Sequence, residues 1–88
     1  MTFVWLNKQG VRSSDGFEFQ RTGRFTAEYR QGDQIIDLEI ESSGMRVAVT
    51  NTHALRWRSG LPLSQEGSGK VMKNLAAAFA FMDMRLDQ

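Results

Sequence analysis

The 88-residue chain contains no cysteine and a single proline. Without thiols it can form no disulfide, no thiolate metal site and no cysteine nucleophile. Charge of either sign is not in excess. Eleven Lys and Arg stand against ten Asp and Glu, a net charge of +1, so no whole-molecule field draws the chain to nucleic acid or to an anionic membrane. Long hydrophobic runs are missing as well, and nothing approaches the length that spans a bilayer. The opening Met1-Thr2-Phe3-Val4-Trp5-Leu6-Asn7-Lys8 has too short an apolar stretch for a signal peptide, and no basic segment precedes it. These absences point to a cytoplasmic address and to no membrane partner.

What is present is the composition of an ordinary globular protein, with 41% hydrophobic and 24% charged residues. That is neither polar nor charged enough for disorder. Residues 1–88 read as one small domain, and a domain of this size is only modestly stable because it buries a limited share of its surface.

From Phe17 onward the pattern has a period of two. Phe17 and Phe19 alternate with Glu18 and Gln20, and Phe25, Ala27 and Tyr29 with Arg24, Thr26, Glu28 and Arg30. Ile36, Leu38 and Ile40 alternate with Asp37, Glu39 and Glu41, and Val47 and Val49 with Arg46, Ala48 and Thr50. Successive side chains of a strand point to opposite faces, so these segments predict strands with one wet side. Phe3 to Leu6 reads as a further short strand, whereas Gly10 and Ser13-Ser14-Asp15-Gly16 mark irregular chain or turns.

Turn positions set a register. A two-residue loop at Gly32-Asp33 places Tyr29 opposite Ile36, Ala27 opposite Leu38 and Phe25 opposite Ile40. A second at Ser43-Gly44 places Ile40 opposite Val47 and Leu38 opposite Val49, so both turns choose one apolar face. The same register predicts an outer row of Arg24, Glu41 and Arg46, with Glu28 beside Asp37. The earlier strand needs a three-residue loop at Thr22-Gly23-Arg24 to bring Phe17 and Phe19 to the apolar side, and that loop competes with the row for Arg24. His53 to Arg58 reads as a last strand or an extended edge, and Pro62 interrupts regular structure after it.

Ser64 stands at an N-cap position, with Glu66 in the first turn of a helix. Val71, Met72, Leu75, Ala78, Phe79, Met82 and Leu86 follow at helical spacing, with Lys70, Lys73, Asn74, Asp83 and Arg85 on the other side. Gly67 and Gly69 weaken the first turns and predict a late start. The expected fold class is therefore α+β: an antiparallel β-meander of four to five strands with one C-terminal helix packed on its apolar face. The stretch 76–82 is apolar nearly all round, which leaves Ala77 and Phe81 without a home in a monomer and predicts self-association there as a homodimer.

No motif carries chemistry. His53, the only histidine, has no signature partners for a metal site or a nucleophile relay and reads as a loop or edge residue. Asp37, Glu39 and Glu41 lie together on the wet face, where nothing local would desolvate one of them into a general acid. Gly67-Ser68-Gly69-Lys70 lacks the first glycine of a phosphate loop. No enzymatic activity, cofactor or metal is expected. Arg56-Trp57-Arg58, with Arg46, is the best candidate recognition patch, for a protein or for single-stranded nucleic acid or another polyanion. The alternative is that Trp57 packs under the helix while the arginines reach out to water.

Between Gln34 and Asp87 the order of features resembles predicted bacterial immunity proteins of the Imm-74 type, from bacterial toxin–immunity systems. The matching elements are strands ending Val47-Ala48-Val49, then Leu55-Arg56-Trp57, the run Gly60-Leu61-Pro62-Leu63-Ser64 and an alanine-rich last helix. The chain departs from that pattern at Glu66-Gly67-Ser68-Gly69, where a charged helical run is expected. The resemblance implies a non-enzymatic protein that binds and neutralises a protein partner.

Overall fold

A computed structural model describes residues 1–87. Seven strands form one curled sheet in chain order: β1 (Phe3–Asn7), β2 (Gly10–Ser13), β3 (Phe17–Arg21), β4 (Thr26–Gln31), β5 (Gln34–Ser43), β6 (Arg46–Val49) and β7 (Arg85–Asp87). Neighbours are antiparallel except β6 and β7, which are parallel and are linked through helix α1 (Gln65–Phe81). The α+β class and the C-terminal helix are as expected from the sequence; the sheet is larger than four to five strands, because β2 and β7 have no strong local signal.

In β2 only Val11 is a large apolar residue. It is fully buried, and the strand is further held by Gly10, where a side chain would collide with Gln20 of β3. The segment expected to be irregular is thus paired on both sides, by Arg12 opposite Val4 and Glu18. β7 follows a helix ending of Schellman form. Met84 N–H donates to Phe79 carbonyl (2.7 Å) and Asp83 N–H to Ala80 carbonyl (3.2 Å), while Asp83 takes the left-handed conformation at φ 63°. Leu86, expected on the helix, therefore lies in β7, opposite Val47.

The Gly32-Asp33 hairpin has the expected register: Tyr29 faces Ile36, Ala27 faces Leu38 and Glu28 faces Asp37. Two other loops are displaced by one residue. Ser43 pairs with Arg46, so the loop is Gly44-Met45, and Ile40 meets Val49 instead of Val47. Gly44 (φ 61°) occupies the first loop position, as Gly32 (φ 60°) does in its own hairpin. A type II′ turn demands a positive φ at that position, and glycine meets it without steric cost. Phe19 likewise pairs with Tyr29, which moves the β3–β4 loop to Gly23-Arg24-Phe25 and leaves the Phe25 side chain 55% exposed beneath the Arg24 guanidinium. Moving a loop by one residue shifts pairing by two, so the paired residues keep their faces; Phe25, expected on the apolar side opposite Ile40, is the exception, because it falls in the loop and is exposed. The predicted row of Arg24, Glu41 and Arg46 does not form, since Glu41 faces Ala48 and Arg46 faces Ser43.

One side of the sheet carries the core. Val11, Phe17, Phe19, Ala27, Tyr29, Ile36, Leu38, Ile40, Val47 and Val49 close on Val71, Leu75, Ala78 and Phe79 of α1. Full burial of side chains of this size contributes about 1.5–3 kcal/mol each before conformational entropy is subtracted. Phe19 and Phe79 meet edge to face at 4.9 Å. The helix starts at Gln65 despite its glycines, because Ser64 Oγ accepts the Gly67 N–H at 3.0 Å. Asn74, expected on the wet side, instead reaches the sheet and donates to Tyr29 Oη.

The other face is wet and carries charges of alternating sign. Arg12 bonds Glu18 (2.8 Å) across β2 and β3, and Arg30 bonds Glu28 (2.7 Å) along β4.

Candidate functional site

The segment 55–58 is an extended edge to β5, one of the two readings that the sequence left open. Leu55 is buried, Trp57 bridges Ile36, and Arg58 N–H donates to the Ile35 carbonyl. Between this segment and β6 the ladder is completed by a side chain. The amide of Asn51 accepts the Glu39 N–H (3.0 Å) and donates to the Asp37 carbonyl (3.2 Å).

Trp57 is half-buried and packs against the core cluster. Arg58 turns back over the sheet, where it holds Asp37 with two bonds (Nη2 at 2.6 Å, Nε at 3.1 Å) and Glu28 with a third (2.8 Å). Glu28 and Asp37 are cross-strand neighbours and would repel each other; the guanidinium between them removes that cost. Hydrogen bonds from Arg30 and then Arg58 hold the Glu28 carboxyl below its ordinary range, and Arg58 does the same for Asp37. The two carboxylates in turn raise the Arg58 pKa.

Arg46 does not join them. It pairs with Ser43, seven residues along β5 from the Ile36 that Trp57 bridges, which is roughly 23 Å of strand. Arg56 is exposed and its backbone bridges Pro62. The four residues of the expected patch are thus three separate features: an ion-paired Arg58, a packed Trp57 with an exposed Arg56 beside it, and a distant Arg46.

His53 lies exposed in a 3-10 turn, Thr52–Ala54, and Glu39 and Glu41 are exposed on the wet face. No group of three or more metal-ligating side chains converges among the described residues. An apolar cleft between Phe19, Ile40, Val47, Met82 and Met84, rimmed by Lys8 and Arg21, has a volume of about 160 Å³. That is roughly half the lower limit of an ordinary small-molecule site. Gly67-Ser68-Gly69-Lys70 lies within the first turns of α1, not in a loop.

An aromatic cluster is the remaining concentration of unusual surface. Phe81, in the last turn of α1, stacks on Phe3 at 5.4 Å and leans on Trp5 at 5.6 Å. Phe3 in turn meets Phe17 edge to face at 5.9 Å, so the cluster is anchored in the core. Phe81 is therefore not without neighbours, as the sequence suggested; β1 covers one side of it. Ala77, one turn earlier, is half-buried. Yet Trp5 remains 51% and Phe81 40% exposed, and Val4 and Leu6 on the same strand are 58% and 37% exposed. Trp5 and Phe81 share the helix side and Val4 and Leu6 the other, and contiguous exposed apolar side chains of this kind are often functional surfaces.

The chain matches no protein-family model, no curated protein and no solved structure. No helix among the described residues is long and apolar enough to cross a membrane.

The Trp5–Phe81 cluster was half-legible in the sequence. Phe81 stood out from the apolar belt of the helix, but its pairing with Trp5 spans 76 positions (81 − 5) and has no local signature.

Proposed function

We propose that this chain is a small non-enzymatic protein–protein interaction module whose docking surface is the Trp5–Phe81 face. The observation that carries the reading is the exposed aromatic pair itself, ring to ring at 5.6 Å and fixed from behind by Phe3. Tryptophan and other large aromatics held rigidly in one place give an interface much area at little entropic cost, which is why they dominate binding hot spots. The resemblance to immunity proteins accords with this class of function.

The alternative, binding of single-stranded nucleic acid or another polyanion, has less support. Arg58 is already neutralised by Glu28 and Asp37, and Arg46 is remote from Arg56.

The test is a pull-down from the native cell with the intact chain and with a Trp5→Ser/Phe81→Ser variant of unchanged circular dichroism. A protein captured by the first and lost by the second supports the reading. Equal capture by both would remove the Trp5–Phe81 face from consideration.

A further inference from the structure

The two free edges of the sheet are unlike each other. β7 is three residues long and presents Arg85 and Asp87, both exposed. β1 is five residues long, has no charge between Phe3 and Asn7, and among the described residues pairs with β2 alone. Sheet edges are ordinarily blunted by shortness, charge or proline, because an open row of backbone groups invites another strand. β7 is guarded in this way and β1 is not. β1 carries one bulge, between Trp5 and Asn7, which leaves Phe3 to Trp5 in regular register with β2 and turns Asn7 to the wet face beside Gln20.

The backbone direction is set by β2. Ser14 N–H donates to the Thr2 carbonyl at 2.8 Å. By alternation, Thr2 and Val4 turn their backbone groups toward β2, and Phe3 and Trp5 turn theirs toward the open edge.

We infer that β1 is a dimerisation edge, at which a second copy of this chain pairs antiparallel, β1 to β1, about a two-fold axis at Trp5. The inference rests on the reading of the Trp5–Phe81 face as a protein-binding surface, and names the partner.

The apolar side chains that call for cover lie on both sides of the strand. Phe3 and Trp5 point to the helix side with Phe81, and Val4 and Leu6 point to the other. An occupant resting on either face would cover half of them. A strand added in the plane of the sheet reaches both.

A second copy fits that place because the strand is self-complementary. With Trp5 opposite Trp5, Val4 meets Leu6, and that contact occurs twice, as two-fold symmetry requires; the pairing stops at the bulge, beyond which Asn7 turns to the wet face and bonds Gln20. No like charges come together. The Phe81 side chains of the two copies then flank the paired tryptophans on the helix side. A whole aromatic side chain contributes roughly 150–250 Å², so the open fractions of Val4, Trp5, Leu6 and Phe81 sum to roughly 350 Å² per copy. With the two backbone edges added, the pair approaches the roughly 1,000 Å² that a specific interface requires.

The lack of cysteine allows a direct test. Val4 and Leu6 of the other copy would be a non-hydrogen-bonded pair about 4.5 Å apart at Cα, within the range a disulfide spans. Mixing Val4→Cys with Leu6→Cys chains under mild oxidation should give cross-linked dimer at least about tenfold faster than either variant alone. Sedimentation of the native chain well above micromolar concentration should give a dimer, and Val4→Lys should weaken it at least about tenfold without altering the circular dichroism. A native dimer whose mixed and single cysteine chains cross-link at equal rates overturns the β1 pairing. A native monomer overturns it as well. If that monomer still captures another protein through Trp5 and Phe81, the proposed function survives and only the identity of the partner falls.

Discussion

The side-chain amide of Asn74 donates a 3.0 Å hydrogen bond to the hydroxyl of Tyr29, joining the middle of α1 to the middle of the sheet. The hydroxyl in turn donates to Gln31 Oε1 at 2.8 Å. Burial pushes the Tyr29 pKa up, and the bond from Asn74 offsets part of that shift. The contact aligns the helix over β4 in an otherwise apolar layer.

Tyr29→Phe should therefore cost about 1 kcal/mol, because it leaves the Asn74 amide short of an acceptor without opening a cavity. Asn74→Ala should cost less than that, since the tyrosine hydroxyl keeps Gln31. Urea unfolding of the two single variants and the double variant measures both values. A double variant equal to the sum of the singles would show that the bond contributes nothing of its own.

Asp83 occupies the left-handed position that ends α1, where glycine is the usual residue. Asp83→Gly should raise stability by roughly 0.5–1 kcal/mol, the relief of a side chain in that conformation less the added freedom of the unfolded chain. Asp83→Val should lower it. Denaturation midpoints that fall for both would contradict this account of the helix end.

Asn51 replaces a stretch of backbone between β6 and the segment 55–58. Asn51→Ala should cost about 1 kcal/mol. Hydrogen exchange should show it as faster loss of the Glu39 amide proton while the amides of β4 are unchanged. Asn51→Asp keeps the acceptor for Glu39 N–H and loses the donor to Asp37, so it should protect the Glu39 amide and still lower stability.

The Glu28–Arg58–Asp37 cluster should make stability depend on pH on the acid side. Both carboxyls have folded-state pKa values below their ordinary values of 4.5 and 3.8. A lowered carboxyl pKa contributes stability above its unfolded value and loses that contribution as pH falls through the folded one. Thermal denaturation should thus show stability falling below about pH 4.5. Arg58→Ala should flatten that acid limb, leaving the part due to Arg30 on Glu28. An unchanged acid limb would mean that the exposed ion pairs are fully screened.

Much of the fold was legible in the chain. The periodic segments at 17–19, 27–29, 36–40 and 47–49 form strands, and their apolar members are buried. Ser64 caps the helix as its position suggests. The expected patch was not legible in the same way. Arg56, Trp57 and Arg58 are neighbours in sequence, but alternation along an extended segment packs Trp57 on the core and turns the two arginines away from it, and Arg46 starts β6 beside the far end of β5. Charge pairing between Arg58 and Glu28 joins residues 30 positions apart, which no local pattern records.

Side-chain alternation is a property of the extended backbone itself, so residue order alone determined which strand residues turn inward, and a loop misplaced by one residue changed that only at Phe25, which it took out of the strand. Partners across the sheet were another matter. The pairing of Ile40 with Val49, the strands built on Val11 and Leu86, and the cover that β1 places over Phe81 came only from tertiary structure. Each depends on surfaces distant in the chain closing over one core, and the free energy that selects them exists only once that core has formed.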